Sequence, residues 1–275
     1  MSAAPEVLYH YTSFDAFKKL MESEILRATH YSELNDWSEI KMGLNVVKSS
    51  LKKYQTDTPA ETMEFLLERL ALLKKAEWLS FVFSLSEAGN SLDQWRAYCP
   101  GGGVAIGFLA QNLDGHFRKE STKEKDGGWS CASWQMFQCQ YLDPEDSIDL
   151  QTVISSANDL MKLQSQQAGQ ADHFADVLTY SQLMARCCSI KHRAYESERE
   201  WRCFETLSTR TPLEIRLDER NRRFVEMPFI AGDVIKEVVI SPHGDNRQGK
   251  SLALYFRDSK NLTYDVAQSN IPFRQ

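Results

Sequence analysis

The segment Trp78-Leu79-Ser80-Phe81-Val82-Phe83-Ser84-Leu85-Ser86-Glu87 alternates with a period of two. Leu79, Phe81, Phe83 and Leu85 point one way, and Ser80, Val82, Ser84 and Ser86 point the other. Successive side chains take opposite sides only in a β-strand, so this segment commits the chain to a sheet with one apolar face. The opposite face lines up small hydroxyls and leaves room for a molecule to lie against it. A half-exposed antiparallel strand satisfies the same pattern.

Other strand signals surround it. Val7-Leu8-Tyr9-His10-Tyr11-Thr12, bounded by Pro5 and Ser13, places His10 and Thr12 on one face with Leu8, and Tyr9 and Tyr11 opposite. Leu26-Arg27-Ala28-Thr29 reads as extended, Val104-Ala105-Ile106-Gly107-Phe108 as a buried strand, and 136–142 and 234–240 as two more. Residues 213–217 and 223–229 read as a hairpin with a basic tip at 218–222, and a last strand is expected near 262–266.

Helical signals alternate with these. Ser13 caps a helix over 14–25, and Asn35 or Asp36 caps one through Ile40, Leu44, Val47 and Leu51. Thr58-Pro59-Ala60-Glu61 is a capping box with proline at the first helical position, opening a helix to about residue 75. Further helices are expected over 147–166 and 172–190, with Gly169 at the break, and over 247–257. Asp93 to Tyr98 forms a short helix or turn, and the stretch 116–134 reads as a polar surface loop. Gly101-Gly102-Gly103 lacks the flanking pattern of a phosphate-binding loop and reads as a tight turn. With no internal repeat or linker, the reading is a single α+β domain over 1–275, with a helical insertion at about 36–76 and a helical pair at about 147–190.

Composition narrows the function classes. A net charge of −6 opposes binding to nucleic acid or an anionic membrane. No apolar run approaches the ~20 residues of a membrane span, and Met1-Ser2-Ala3-Ala4-Pro5-Glu6 has neither a basic nor an apolar leader region. A cytoplasmic protein without membrane attachment is expected. The six cysteines show no C-x-x-C spacing and the six histidines are scattered, which favours free thiols and no structural metal. Nothing in the sequence sets an oligomeric state.

The stretch Tyr195-Glu196-Ser197-Glu198-Arg199-Glu200-Trp201-Arg202 packs three carboxylates, two guanidiniums and two large aromatics into eight residues. Read as a strand, it puts Glu198, Glu200 and Arg202 on one face and Arg199, Trp201 and Cys203 on the other. Two carboxylates on one sheet face are costly unless they are solvated, paired with cations, or used. An exposed edge strand with alternating charge is the simpler reading.

The order of these elements, a His10-bearing first strand, the Phe83-Ser84-Leu85-Ser86 strand and a late Glu198/Glu200 strand, resembles the ADP-ribosyltransferase superfamily. The chain also resembles, over nearly its full length, the prokaryotic family called domain of unknown function twenty-nine seventy-one. The residues carrying that likeness are Leu8-Tyr9-His10-Tyr11-Thr12, Leu34-Asn35-Asp36, Phe83-Ser84, Gln94-Trp95, Gly103-Val104-Ala105-Ile106-Gly107-Phe108, Glu198-Arg199-Glu200-Trp201-Arg202 and Ser269-Asn270-Ile271-Pro272-Phe273-Arg274.

The first resemblance implies a split, mixed or antiparallel sheet and an enzyme that consumes NAD by glycosyl transfer. It has His10 hydrogen-bond the adenine-side ribose and, with Thr12, hold the cofactor against the sheet, with Ser84 supporting the nicotinamide-side ribose and leaving room for the ring beside Ser86. Glu200 then stabilises the oxocarbenium-like cation and Glu198 activates the nucleophile. Arg202 keeps the carboxylates ionised or meets the pyrophosphate. The middle strand has no tyrosine to stack on nicotinamide, so Trp95, Tyr98 or Tyr195 supplies that surface. The acceptor is a protein, a nucleic acid or a small molecule, and a role in phage defence or as a toxin fits the resemblance. Two alternatives stand beside it: a magnesium-dependent nuclease using Glu198, Glu200 and Asp36, and a non-catalytic nucleotide-sensing module. The leading reading requires His10, Ser84 and Glu200 to line one cavity large enough for a dinucleotide.

Overall fold

Ser13 ends the first strand and starts the first helix. Its hydroxyl accepts the Ala16 N–H at 3.2 Å, while Phe17, Leu20 and Met21 turn one helical stripe inward. Junctions of this kind set the element order in a computed structural model, which describes residues 4–34, 37–73, 79–121, 133–166, 171–207 and 214–272.

The first half runs β1 (Val7–Ser13), α1 (Phe14–Ser23), β2 (Ile25–His30), α2 (Trp37–Lys53), α3 (Ala60–Leu73), β3 (Leu79–Ser86), α4 (Leu92–Tyr98), β4 (Gly103–Leu109) and α5 (Ala110–Ser121). The second half runs β5 (Ser133–Gln138), β6 (Gln140–Leu142), α6 (Gln151–Gln166), α7 (Ala171–Cys188), β7 (Ile190–His192), β8 (Glu200–Leu207), β9 (Ile215–Leu217), β10 (Arg223–Pro228), α8 (Ala231–Val234), β11 (Ile235–Ile240), α9 (Asn246–Ser259) and β12 (Asp265–Gln268). Short 3-10 turns at Tyr31–Glu33 and Arg193–Glu198 lead into α2 and β8.

Among the described residues, ten strands join in one mixed sheet of order β12-β11-β4-β1-β3-β2-β10-β9, with β8 between β3 and β5. Only β11 and β12 run parallel within it. The sheet forks at β3. One edge of β3 pairs with β8 along its whole length, from Leu79↔Leu207 to Ser86↔Glu200. The other edge is shared: β1 meets it at Tyr9↔Ser86, and β2 at Thr29↔Val82 and His30↔Phe81. Between those contacts β1 and β2 diverge, and the edge at Phe83-Ser84-Leu85 has no strand beside it among the described residues.

The alternation in β3 sorts the molecule into layers. Phe81, Phe83 and Leu85 join Leu8, Val104, Ile106, Trp201, Cys203 and Val238 in a core closed by α1, α5, α8 and α9. Burying each such side chain contributes roughly 1.5–3 kcal/mol. On the reverse face, Val82, Phe137 and Phe204 pack beneath α2, α3, α6 and α7. The two helical stretches expected at about 36–76 and 147–190 therefore share one layer. α2 and α7 approach so closely there that a Cβ at Gly43 would strike the Cys187 carbonyl. A smaller cluster of Tyr11, Trp95, Cys99, Ala105 and Val239 lies under α4.

Several local expectations need correction. Residues 116–121 continue α5 instead of opening a loop, because Leu113 and Phe117, one turn apart, both bury completely. Residues 122–132 lie outside the described residues. The helix expected from residue 147 starts at Gln151, and the last strand is Asp265–Gln268, slightly beyond 262–266. The glycine turn packs tightly: Gly102 has φ +97°, and a Cβ on Gly103 would collide with the Thr12 carbonyl. Cys99, Cys139, Cys187, Cys188 and Cys203 are free and buried, and Cys131 lies outside the described residues. Among the described residues no helix is long and apolar enough to cross a membrane.

Candidate functional site

The fork opens into a cleft of about 210 Å³. β1 contributes Tyr9, His10 and Tyr11, β2 contributes Arg27 and Thr29, and the floor is β3 from Val82 to Ser86. Gln94 and Tyr98 of α4, Glu198 and Glu200, and Glu33, Leu34 and Arg222 complete the lining.

Glu200 opens β8, with its backbone N–H donating to the Tyr141 hydroxyl at 2.6 Å. Glu198 precedes that strand, ending the 3-10 turn that His192 caps through Nδ1. The turn closes on Arg199 in the left-handed region, φ 46°, which brings Glu198 back toward Glu200. Glu87 clamps the junction: it accepts from the Arg199 Nη2 at 2.8 Å and from the Trp201 indole at 2.8 Å. The expected strand over 198–202 is thus a turn followed by a strand. The two carboxylates still converge, because both reach one cation.

That cation is Lys191, in β7. Its Nζ lies 2.6 Å from Glu198, 2.7 Å from Glu200 and 3.3 Å from Glu39. Beneath it, Arg202 gives Nε to Glu200 at 2.8 Å, Nη2 to Glu39 at 2.6 Å and Nη1 to the Cys188 carbonyl at 2.7 Å. Three carboxylates against two cations leave one formal negative charge at the cleft. Burial opposes ionisation of Glu200, but Arg202 and Lys191 outweigh it and hold its carboxyl down to about 2. Burial likewise opposes charge on Lys191, and Glu200 and Glu39 keep its ammonium above the usual lysine range. The Tyr98 phenol is pushed up by burial and by Glu198 and Glu200.

His10 behaves in the opposite way. Burial pushes its imidazole down to about 4, so the ring is neutral at pH 7. Its Nδ1 sits 3.4 Å from the Ser84 carbonyl in the fork, and its ring lies 4.7 Å from Phe83. A carbonyl only accepts, so this contact places the proton on Nδ1 and leaves Nε2 as an acceptor.

Residues 94–203 match the family model described as Protein of unknown function (DUF2971). The resemblance to that family holds over this stretch, which carries Tyr98, Lys191, Glu198, Glu200 and Arg202. His10, Arg27, Ser84 and Ser86 precede it. No curated protein and no solved structure matches the chain.

Of the residues singled out from the sequence, His10, Ser84, Ser86, Tyr98, Glu198 and Glu200 line the cleft. Ser86 is committed to the frame: its hydroxyl donates to the Glu198 carbonyl at 2.7 Å and accepts the Ala88 N–H at 3.0 Å. The remaining four do not line it. Trp95 is fully buried against Tyr11, with its indole N–H on Asn90, and presents no stacking surface. Tyr195 stands outside, its ring 5.1 Å from Lys191 Nζ. Thr12 lies further along β1, across from Val104. Arg202 is sealed beneath the carboxylates and cannot reach a pyrophosphate. Asn35, Asp36, Phe273 and Arg274 lie outside the described residues.

The carboxylates proposed to hold magnesium converge on a lysine ammonium, and no metal-binding group of three or more His, Cys, Asp or Glu occurs among the described residues. The cleft is also smaller than expected. Ligand pockets usually run from about 300 to 1,000 Å³, so this one is too small to enclose a whole dinucleotide. A larger cavity of about 750 Å³ lies between β5, α6 and α7, lined by Gln135, Phe137, Gln182 and Arg186 among others. Its ionisable lining is Asp149, Cys139 and Arg186, without the convergence of carboxylates on an ammonium seen at the fork.

Sequence reasoning missed Lys191, Glu39 and Arg27, and marked Arg222 only as part of a basic hairpin tip that reads more simply as a solvated hairpin end than as a contact for an anionic partner. Lys191 sits in a three-residue strand between Ile190 and His192, with no local pattern to single it out. Glu39 reads as an ordinary acidic residue in the first turn of a helix.

Proposed function

We propose that the fork binds NAD and cleaves its nicotinamide–ribose bond, passing ADP-ribose to an acceptor in the manner of an ADP-ribosyltransferase. The observation carrying this reading is that Glu200, held ionised, and His10, held neutral, line one cleft at the fork. Breakage of the C1′–N bond sends its electron pair to the departing pyridinium nitrogen, which leaves as neutral nicotinamide. Positive charge develops on the ribose C1′ and ring oxygen, and a fixed carboxylate in a desolvated site stabilises it. Neutral His10 offers Nε2 to a ribose hydroxyl without adding repulsive charge. The Glu198 side chain is 21% exposed against 7% for Glu200, so Glu198 is the one that meets an incoming nucleophile and takes its proton as the new C1′ bond forms.

Purified protein incubated with NAD should release nicotinamide, and Glu200→Gln should lower the rate by at least about a hundredfold, a loss typical of removing a charge-stabilising group. Saturable NAD binding without nicotinamide release would instead favour the nucleotide-sensing module. One observation supports that second reading: both Glu200 oxygens are already paired, with Arg202 and Lys191.

A further inference from the structure

We infer that Arg27 and Arg222 form an anion subsite on the β2/β10 wall of the cleft, suited to the phosphate or pyrophosphate of a phosphorylated ligand. Arg27 projects from β2 opposite Glu226 of β10, but Glu226 is taken by Arg216 at 2.8 Å. The Arg27 guanidinium lies instead over the Phe224 ring, 4.6 Å from its centre. Among the described residues no carboxylate pairs with it. A guanidinium stacked on a ring keeps its in-plane N–H donors directed outward, the geometry that suits phosphate oxygens.

Arg222 reaches the same wall from the turn joining β9 and β10, and that turn is built rather than loose. Asp218 accepts the backbone N–H groups of Arg220 and Arg222 at 2.8 and 2.9 Å and the Arg222 Nε at 2.8 Å, with Asn221 at φ 59°. Glu33 also faces this wall, but its carboxylate is occupied by the Arg223 Nε at 2.6 Å and by the Arg223 backbone N–H. The wall therefore carries surplus positive charge, while the Lys191 cluster opposite carries surplus negative charge. A ligand spanning both must be anionic at one end and electron-poor at the other.

The fit of NAD to that polarity rests on the reading above, whereas the anion subsite does not. It also takes over the pyrophosphate contact that buried Arg202 cannot make. The full chain should be titrated calorimetrically with inorganic pyrophosphate, NAD and nicotinamide riboside, which has no phosphate. Arg27→Gln should weaken pyrophosphate and NAD binding about tenfold, the loss of one charge-assisted contact. Arg222→Gln should weaken both less, because Asp218 already offsets part of its charge, and the riboside should bind all forms equally. Unchanged melting temperatures would show that both variants fold. Pyrophosphate that fails to bind wild type, or binds the double variant as tightly, overturns the subsite. Pyrophosphate binding that depends on Arg27, with no binding of NAD or the riboside, keeps the subsite and removes the NAD reading.

Discussion

Two glutamates on β8 are buried to similar degrees and ionise in opposite senses. Glu200, 5% exposed, is surrounded by Lys191 and Arg202 and held down to about 2. Glu205, 2% exposed, lies on the other face of the strand, which Trp201 and Cys203 turn into the apolar core. Its Oε1 finds no donor among the described residues, and burial pushes its carboxyl up to about 7. Burial alone drives a carboxylate toward its neutral form, and at Glu200 the matched cations and the hydrogen bonds they donate reverse that. The cleft thus owes its ionised acid to Lys191 and Arg202, two residues that a substrate need not touch.

The sharpest way to break this contrast is to remove the central cation. Lys191→Met should destabilise the chain by about 3–5 kcal/mol, the usual cost of stranding buried partners. Adding Glu200→Gln to it should recover part of that loss in urea unfolding. If Lys191→Met were neutral, the carboxylates would be solvated and the comparison would collapse.

The pH dependence of stability separates the two acids. The raised folded value of Glu205 means its contribution is fully present below the unfolded value near 4.5 and is lost as pH rises toward about 7. That loss is on the order of 3 kcal/mol. Glu200 acts in reverse: its contribution is present above about 4.5 and is lost as pH falls toward about 2. Glu205→Gln should flatten the slope between pH 4.5 and 7 and leave the acid limb intact. A smaller effect is expected from Glu205→Leu at pH 7, a gain of about 1–3 kcal/mol in unfolding free energy from removing an unpaired buried polar group. Destabilisation there would point to a hidden partner for the carboxyl.

What could be read in advance follows the range of the interactions. β1, β3 and the β9–β10 hairpin were legible because two-residue alternation is local, and so was α1 with its Ser13 cap. The fork was not, because it depends on where β1 and β2 each leave β3, a matter of pairing between segments about fifty to eighty residues apart in sequence. The Glu198/Glu200 pair was found through a geometry that is only half present. Alternating charges mimic a strand, whereas Arg199 in the left-handed region breaks it. Trp95, beside a glycine turn, looked like a stacking surface because nothing in its neighbours reveals that the indole faces Tyr11 and the core. Lys191 was invisible for the same reason: its meaning lies wholly in three acids brought from α2, a turn and β8.

The most direct test is a crystal structure with a non-cleavable carbocyclic NAD analogue. The account predicts the nicotinamide-side ring carbon against Glu200, His10 on the facing wall, and the pyrophosphate at Arg27 and Arg222. An analogue seated in the larger cavity beside β5, or absent from the fork at saturating concentration, would contradict it.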